Sequence, residues 1–278
     1  MPNTKTFFIT GVSSGFGRAL AQAALQAGHR VIGTLRSERE AAAFGAHASG
    51  RAHGRLLDVT QFDAAAPLAA AVEAQIGPVD VLVNNAGYGH EGIFEETLLA
   101  DQRRQFDVNV FGAVAVMQAF LPFMRGRRRG HIVNITSMGG YITMPGIACY
   151  CGSKFALEGI SEALAQEVRG LGIAVTAVAP GSFRTDWAGR SMVRSARAIA
   201  DYDGLFDPIR QARIAKSGQQ LGDPDQAAAA ILALVDMPAP PQHLLLGSDA
   251  LALVRAKLAA LQAEITRHEA LTRSTDSA

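Results

Sequence analysis

Short, almost continuously apolar runs alternate along this chain with alanine-rich stretches of helical period. The runs fall at 6–10, 31–35, 55–57, 79–83, 131–135, 173–179 and 243–246. Segments apolar on both faces suit strands of a parallel sheet that is covered on both sides. The stretches 17–27, 63–76, 98–124, 153–169 and 224–235 suit the crossover helices between them. Thr60 and Asp63 stand at capping-box spacing, which would start the second of these helices. Repeated β-α alternation predicts an α/β protein with a doubly wound parallel sheet of about seven strands flanked by helices. Nothing divides it, so residues 1–278 read as a single domain; the break at 237–241 is a tight connection before the last strand.

One interval departs from the pattern. Residues 182–222 show no strand signal and mix Trp187, Met192, Tyr202 and Phe206 with several arginines. A long excursion inside a compact α/β domain is expected to be a lid or substrate-binding segment; a surface helical insertion is the alternative. A helical extension is expected at 248–271, with 272–278 frayed.

Composition narrows the function classes. The formal net charge is +1 and no long tract of one sign occurs, so nothing marks a nucleic-acid or membrane partner. The cluster Arg125, Arg127, Arg128 and Arg129 reads as charge near a helix C-terminus. The apolar run 114–124 is too short to cross a bilayer. The two cysteines, Cys149 and Cys151, form no Cys-x-x-Cys pattern, and the histidines lack metal-ligand spacing. The expectation is a cytoplasmic protein with no metal site.

Three places carry chemistry. The first strand runs into Thr10-Gly11-Val12-Ser13-Ser14-Gly15-Phe16-Gly17 and then a helix. Glycines there allow a tight turn and close approach of a pyrophosphate to the helix N-terminus. Their spacing is Gly-x-x-x-Gly-x-Gly rather than the commoner dinucleotide fingerprint. The second strand ends in Thr34-Leu35-Arg36, where an acid would favour NAD; an arginine suits a 2′-phosphate, so NADP(H) is favoured and NAD(H) remains possible. Tyr150 and Lys154, four apart, share a helix face, and an ammonium near a phenol favours its ionised form.

Together these motifs resemble the short-chain dehydrogenase/reductases over approximately residues 5–250, and the match is closest to hydroxysteroid and retinol dehydrogenase-like members. Further signatures follow in order: Asp58 after the third strand, Asn84-Asn85-Ala86-Gly87 after the fourth, Asn109, Ser137 after the fifth, Tyr150 and Lys154, then Pro180-Gly181 and Thr185. The resemblance implies a Rossmann-like fold and an NAD(P)-dependent oxidoreductase interconverting a carbonyl and a secondary alcohol. It implies Asn109, Ser137, Tyr150 and Lys154 as the catalytic set, with Tyr150 the general acid/base. Lys154 would lower the phenol pKa and hold the nicotinamide ribose, Ser137 would hold the substrate oxygen, and Asn109 would hold a relay water. Cofactor contacts would come from Gly11, Ser13, Ser14, Gly15, Phe16, Gly17, Arg36, Asp58, Val59, Asn85, Ala86, Gly87, Tyr150, Lys154, Pro180, Gly181, Phe183 and Thr185. A nucleotide-sensing regulatory protein, or an epimerase or isomerase on the same fold, are the alternatives. Candidate substrate walls are Gly89, His90, Ile93, Tyr141, Met144, Pro145 and the 182–222 excursion, largely apolar; Arg184, Arg190 and Arg194 offer an anionic reading instead. A homodimer or homotetramer is expected, with Phe155, Leu157, Ile160, Leu164 and Val168 presented to a partner.

Overall fold

The computed structural model describes residues 4–48, 50–187, 189 and 191–277. Along the chain come β1 (Thr6–Ile9), α1 (Gly15–Gln26), β2 (Arg30–Leu35), α2 (Glu38–Ala46), β3 (Ala52–Leu56), α3 (Ala65–Gln75), β4 (Val81–Asn84) and β5 (Gly89–Glu91). Then follow α4 (Leu99–Phe106), α5 (Gly112–Arg127), β6 (Gly130–Ile135), α6 (Ala148–Val168), β7 (Ile173–Pro180), β8 (Met192–Arg194) and α7 (Asp203–Ala215). The last elements are α8 (Pro224–Val235), β9 (His243–Leu246), α9 (Ser248–Arg267) and α10 (Glu269–Arg273).

The main sheet has seven strands in the order β3-β2-β1-β4-β6-β7-β9, all parallel. Alternate residues of each strand feed two apolar layers. Phe7, Ile9, Val31 and Val83 pack with Leu20, Ala24 and Ile231 of α1 and α8. Phe8, Ile32, Leu82 and Ile132 pack with Val72, Phe120 and Ala165 of α3, α5 and α6. The strand order reverses between β1 and β4, and in open α/β sheets ligands bind in the crevice beyond the carboxyl ends at such a point.

The doubly wound sheet stands as expected, with local corrections. Thr60 and Asp63 form no capping box: the Thr60 hydroxyl donates to Asp58 Oδ1 at 2.8 Å, and a short 3-10 turn precedes α3. The excursion is not strandless, because β8 pairs in parallel with β5 in a two-stranded sheet. Helix α2 was absent from the periodicity reading; it buries no residue completely, so its apolar stripe is faint. The C-terminal helices end at Arg273, two residues past the expected limit at 271. The helical stretch Leu99–Arg127 is long and apolar enough to cross a bilayer by composition, beyond the run read from sequence. It instead packs Val116, Met117, Phe120 and Met124 into the core. On α6, Leu157 and Val168 face the core and Ile160 and Leu164 are half-buried, which leaves Phe155 as its exposed large apolar residue.

Candidate active site

At the switch point the Thr10 hydroxyl accepts hydrogen bonds from the backbone N–H groups of Asn85 and Ala86, each at 2.9 Å. The Asn85 side chain donates back to the carbonyls of Thr10 and Gly11, also at 2.9 Å. The glycine turn is thus stitched to the segment after β4. Gly11 N–H donates to Thr34 Oγ1, which fixes the turn against β2. A Cβ on Gly17 would lie 2.2 Å from the Gly11 carbonyl oxygen, so only glycine lets helix and turn meet this closely. The first turn of α1 carries no acid, and Ser14 makes no side-chain cap, which leaves the helix N-terminus able to receive an anion.

The other expected cofactor residues converge here. Arg36 is exposed at the end of β2. Asp58 and Val59 follow β3, and hydrogen bonding to Thr60, backed by Arg36 and Arg104, holds the Asp58 carboxyl below its ordinary range. Pro180 ends β7, and Gly181 N–H donates to Leu246 O. Phe183 packs edge-on against Phe16 with ring centroids 5.0 Å apart, and Thr185 sits beside Gly15. This cradle fits a dinucleotide.

Beside it, α6 lays a polar face on the end of β6. Lys154, 6% exposed, donates to Ile135 O at 2.9 Å, and its Nζ lies 5.8 Å from the Tyr150 ring centroid. Burial pulls its ammonium down to about 8, while Glu158 raises it. The Tyr150 phenol is pushed up to about 12 by burial, against a lowering hydrogen bond with Ser137. Desolvation, not Lys154, is therefore the dominant influence on the phenol. Ser137 accepts from Gly139 N–H at 3.0 Å, which places its hydroxyl at the start of a short turn facing Tyr150.

Asn109 lies in a π-turn (Asp107–Phe111) that joins α4 to α5. Such turns reorient one side chain out of the regular helical register and recur at functional sites. Its Oδ1 accepts from Tyr88 N–H, and its Nδ2 donates to Tyr88 O and Ser153 Oγ, all at 3.1 Å. Ser153 in turn donates to Tyr150 O at 2.7 Å. Thr10, Thr34 and Ser153 were missed by the sequence reading. The available signal was a polar residue at an inward-facing position of an otherwise apolar element.

The excursion covers the site. Trp187 packs at a tilt of 55° on Tyr150, ring centroids 4.9 Å apart, and Trp187 and Met192 close over Gly89. His90 hydrogen-bonds Ser195 at 2.8 Å. The anionic-substrate reading of the arginines is not supported: Arg184 pairs with Asp223 at 2.6 Å and Arg194 with buried Glu91 at 3.1 Å. Arg190 lies outside the described residues. Tyr141, expected as a wall, has its hydroxyl tied to Glu158 and His243. A cleft of about 300 Å³ lined by Lys5, Asp80, Arg129 and Pro240 lies at the opposite, amino ends of the strands.

A short-chain dehydrogenase family model matches residues 5–194. The chain belongs to that family. A 3-ketodihydrosphingosine reductase of Bacteroides thetaiotaomicron is 37% identical over 84% of this chain and 84% of its own length. Human retinol dehydrogenase 8 is 34% identical over 85% of this chain and 79% of its own. Among solved structures, a short-chain dehydrogenase from Streptomyces avermitilis has a TM-score of 0.92 and 42% identity, covering 99% of this chain and 100% of that one. Two others carry cofactor. ElxO with NADP bound has a TM-score of 0.75 and 25% identity over 90% and 100% of the two chains. A Burkholderia phymatum dehydrogenase/reductase with NAD has 0.79 and 26% over 94% and 95%. The protein is accordingly an NAD(P)-dependent dehydrogenase/reductase, and a nicotinamide cofactor belongs to its site.

Trp187 is the only tryptophan in the chain. Because it packs on Tyr150, its emission reports the site directly: adding NADPH to the free protein should quench it saturably, and an unchanged spectrum at saturating cofactor would contradict this geometry.

Proposed function

We propose that the protein is an NADP(H)-dependent oxidoreductase that interconverts a hydrophobic carbonyl compound and its secondary alcohol. The observation carrying this reading is the convergence of Ser137, Tyr150 and Lys154 beside the glycine cradle. When bound, the nicotinamide supplies or accepts the hydride at the substrate carbon.

The residues supply placement and the proton. Burial keeps the Tyr150 phenol protonated at neutral pH, so in the reducing direction it donates its proton to the substrate oxygen; in the oxidising direction its oxygen takes that proton back. The Ser137 hydroxyl donates to the same oxygen as charge develops there. Lys154, anchored on Ile135 O, would hold the nicotinamide ribose and stabilise the phenolate left behind. Asn109 Oδ1 uses one lone pair on Tyr88 and keeps one. A Cβ built on Gly87 would lie 3.1 Å from that oxygen and 3.7 Å from Lys154 Nζ, so Asn109 and Lys154 both border Gly87, and a water held by Asn109 would pass protons between Lys154 and solvent.

Ile93, Met144, Ile147, Trp187 and Met192 give the substrate side an apolar character. The names of the sphingoid-base and retinol relatives agree with an apolar substrate. Arg36, exposed just past β2, is the charge that would face a 2′-phosphate. Assembly as a homodimer or homotetramer would cover the exposed Leu98, Leu99, Phe111 and Phe155 around α4, α5 and α6.

Tyr150→Phe should lower kcat by about 10²-fold or more with NADPH Kd essentially unchanged; a variant turning over at the full rate refutes the assignment. Arg36→Asp should weaken NADPH binding by roughly tenfold or more and spare NADH; in titration calorimetry, equal affinities for both cofactors in the parent chain sink the NADP(H) preference. Light scattering should give a dimer or tetramer mass, and a monomer mass contradicts the assembly.

A further inference from the structure

Tyr150, Lys154 and Glu158 follow one another at intervals of four along α6. The mechanism above uses the first two and leaves the third unexplained. Glu158 is 6% exposed, and a carboxylate buried to that degree is costly unless its oxygens are engaged. They are. The Thr136 hydroxyl bonds Oε1, the Tyr141 hydroxyl donates to Oε2 at 2.8 Å, and His243 Nδ1 lies 3.0 Å from the same oxygen. Gly140 packs directly against the Glu158 side chain and the Lys154 backbone.

Thr136 and Tyr141 are the two ends of the short segment that contains Ser137. One oxygen of Glu158 therefore grips the residue before Ser137, and the other grips the end of the turn that Ser137 starts. We propose that Glu158 is a positioning residue of the active site, a two-armed clamp that holds the Ser137 turn against the helix carrying Tyr150 and Lys154. The inference rests on the reading of Tyr150 and Ser137 given above. An apolar side chain would fill the same space without the cost of burying a carboxylate, but it would fix neither end of the turn.

The charged and titratable groups facing Glu158 are Lys154 and Glu162 on its own helix, Tyr141 from the turn and His243 from β9. His243 is 36% exposed and lies 3.9 Å from Glu162, so this side of the cluster reaches solvent. Glu158 has a second effect through Lys154, whose ammonium its negative charge favours.

Two substitutions separate these effects. Glu158→Asp keeps the charge but is one methylene too short to hold both arms. Its kcat should fall by about tenfold or more, with NADPH Kd within about twofold and the alkaline limb of the pH profile unmoved. Glu158→Gln keeps the reach and removes the charge. Its alkaline limb should shift to lower pH, because the Lys154 ammonium loses its stabilising neighbour. Tyr141→Phe opens a single arm and should lower kcat in the same sense as Glu158→Asp, by less. If the Glu158 variants do not fold, this third variant decides the matter, and an unchanged kcat overturns the clamp. Parental kcat in Glu158→Asp, alongside an inactive Tyr150→Phe, also overturns it, whatever the pH profile of Glu158→Gln. A fully active Tyr150→Phe instead removes the mechanism beneath the inference.

Discussion

The site depends on a polar seam between the end of β6 and the buried face of α6. Residue by residue, Asn134 bonds Ser161 at 2.8 Å, the Ile135 carbonyl receives Lys154, Thr136 bonds Glu158, and Ser137 faces Tyr150. Asn84 of β4 extends the seam by donating to Asn134 at 2.8 Å. A helix packed on a parallel sheet normally offers an apolar stripe. Here that stripe gives way to polar groups that are satisfied chiefly by one another. The register between helix and strand is consequently fixed by hydrogen bonds, which are directional, rather than by apolar packing, which tolerates sliding.

The seam has a thermodynamic cost. Lys154 keeps its ordinary pKa in the unfolded chain and is pulled down to about 8 in the fold. Above that value the unfolded state binds more protons, so this group's contribution to stability rises with pH until the unfolded lysine also titrates. At neutral pH the buried ammonium opposes folding by about 3 kcal/mol on that shift. Tyr150 acts in the opposite sense. Its raised pKa leaves stability intact below the ordinary phenol value and withdraws it as pH climbs toward about 12. Both groups are held in unfavourable protonation environments by the surrounding fold, as expected where a site is organised for proton transfer.

Much of this was legible in the sequence, for identifiable reasons. Strands buried on both faces announce themselves as apolar runs, and β1, β2, β4, β6 and β7 were all read near their true limits. The exceptions are physically marginal elements. Strand β3 begins at Ala52, but His53 and Gly54 interrupt its apolar pattern. Strands β5 and β8 have three residues each, too few to show a period. The glycine turn and the Tyr150-Lys154 spacing were visible because backbone geometry restricts the residue types there. The ties made by Thr10, Asn109 and Glu158 were not, since they join residues distant in sequence. The anionic alternative for the excursion arginines stayed open for a related reason: a charge count gives no sign of the carboxylates that Arg184 and Arg194 meet.

The excursion itself leaves the sheet and returns to it at nearly one point. Phe183 and Gly222 form a bridge, with Gly222 N–H donating to Ser182 O and Arg184 N–H to Gly222 O. Everything between them hangs from this neck, and its other ties to the body include ion pairs such as Arg194 with Glu91 and Arg197 with Glu96. A segment whose two ends already touch can vary in length without altering the strand order. Length changes within this segment are thereby decoupled from the register of the seven strands.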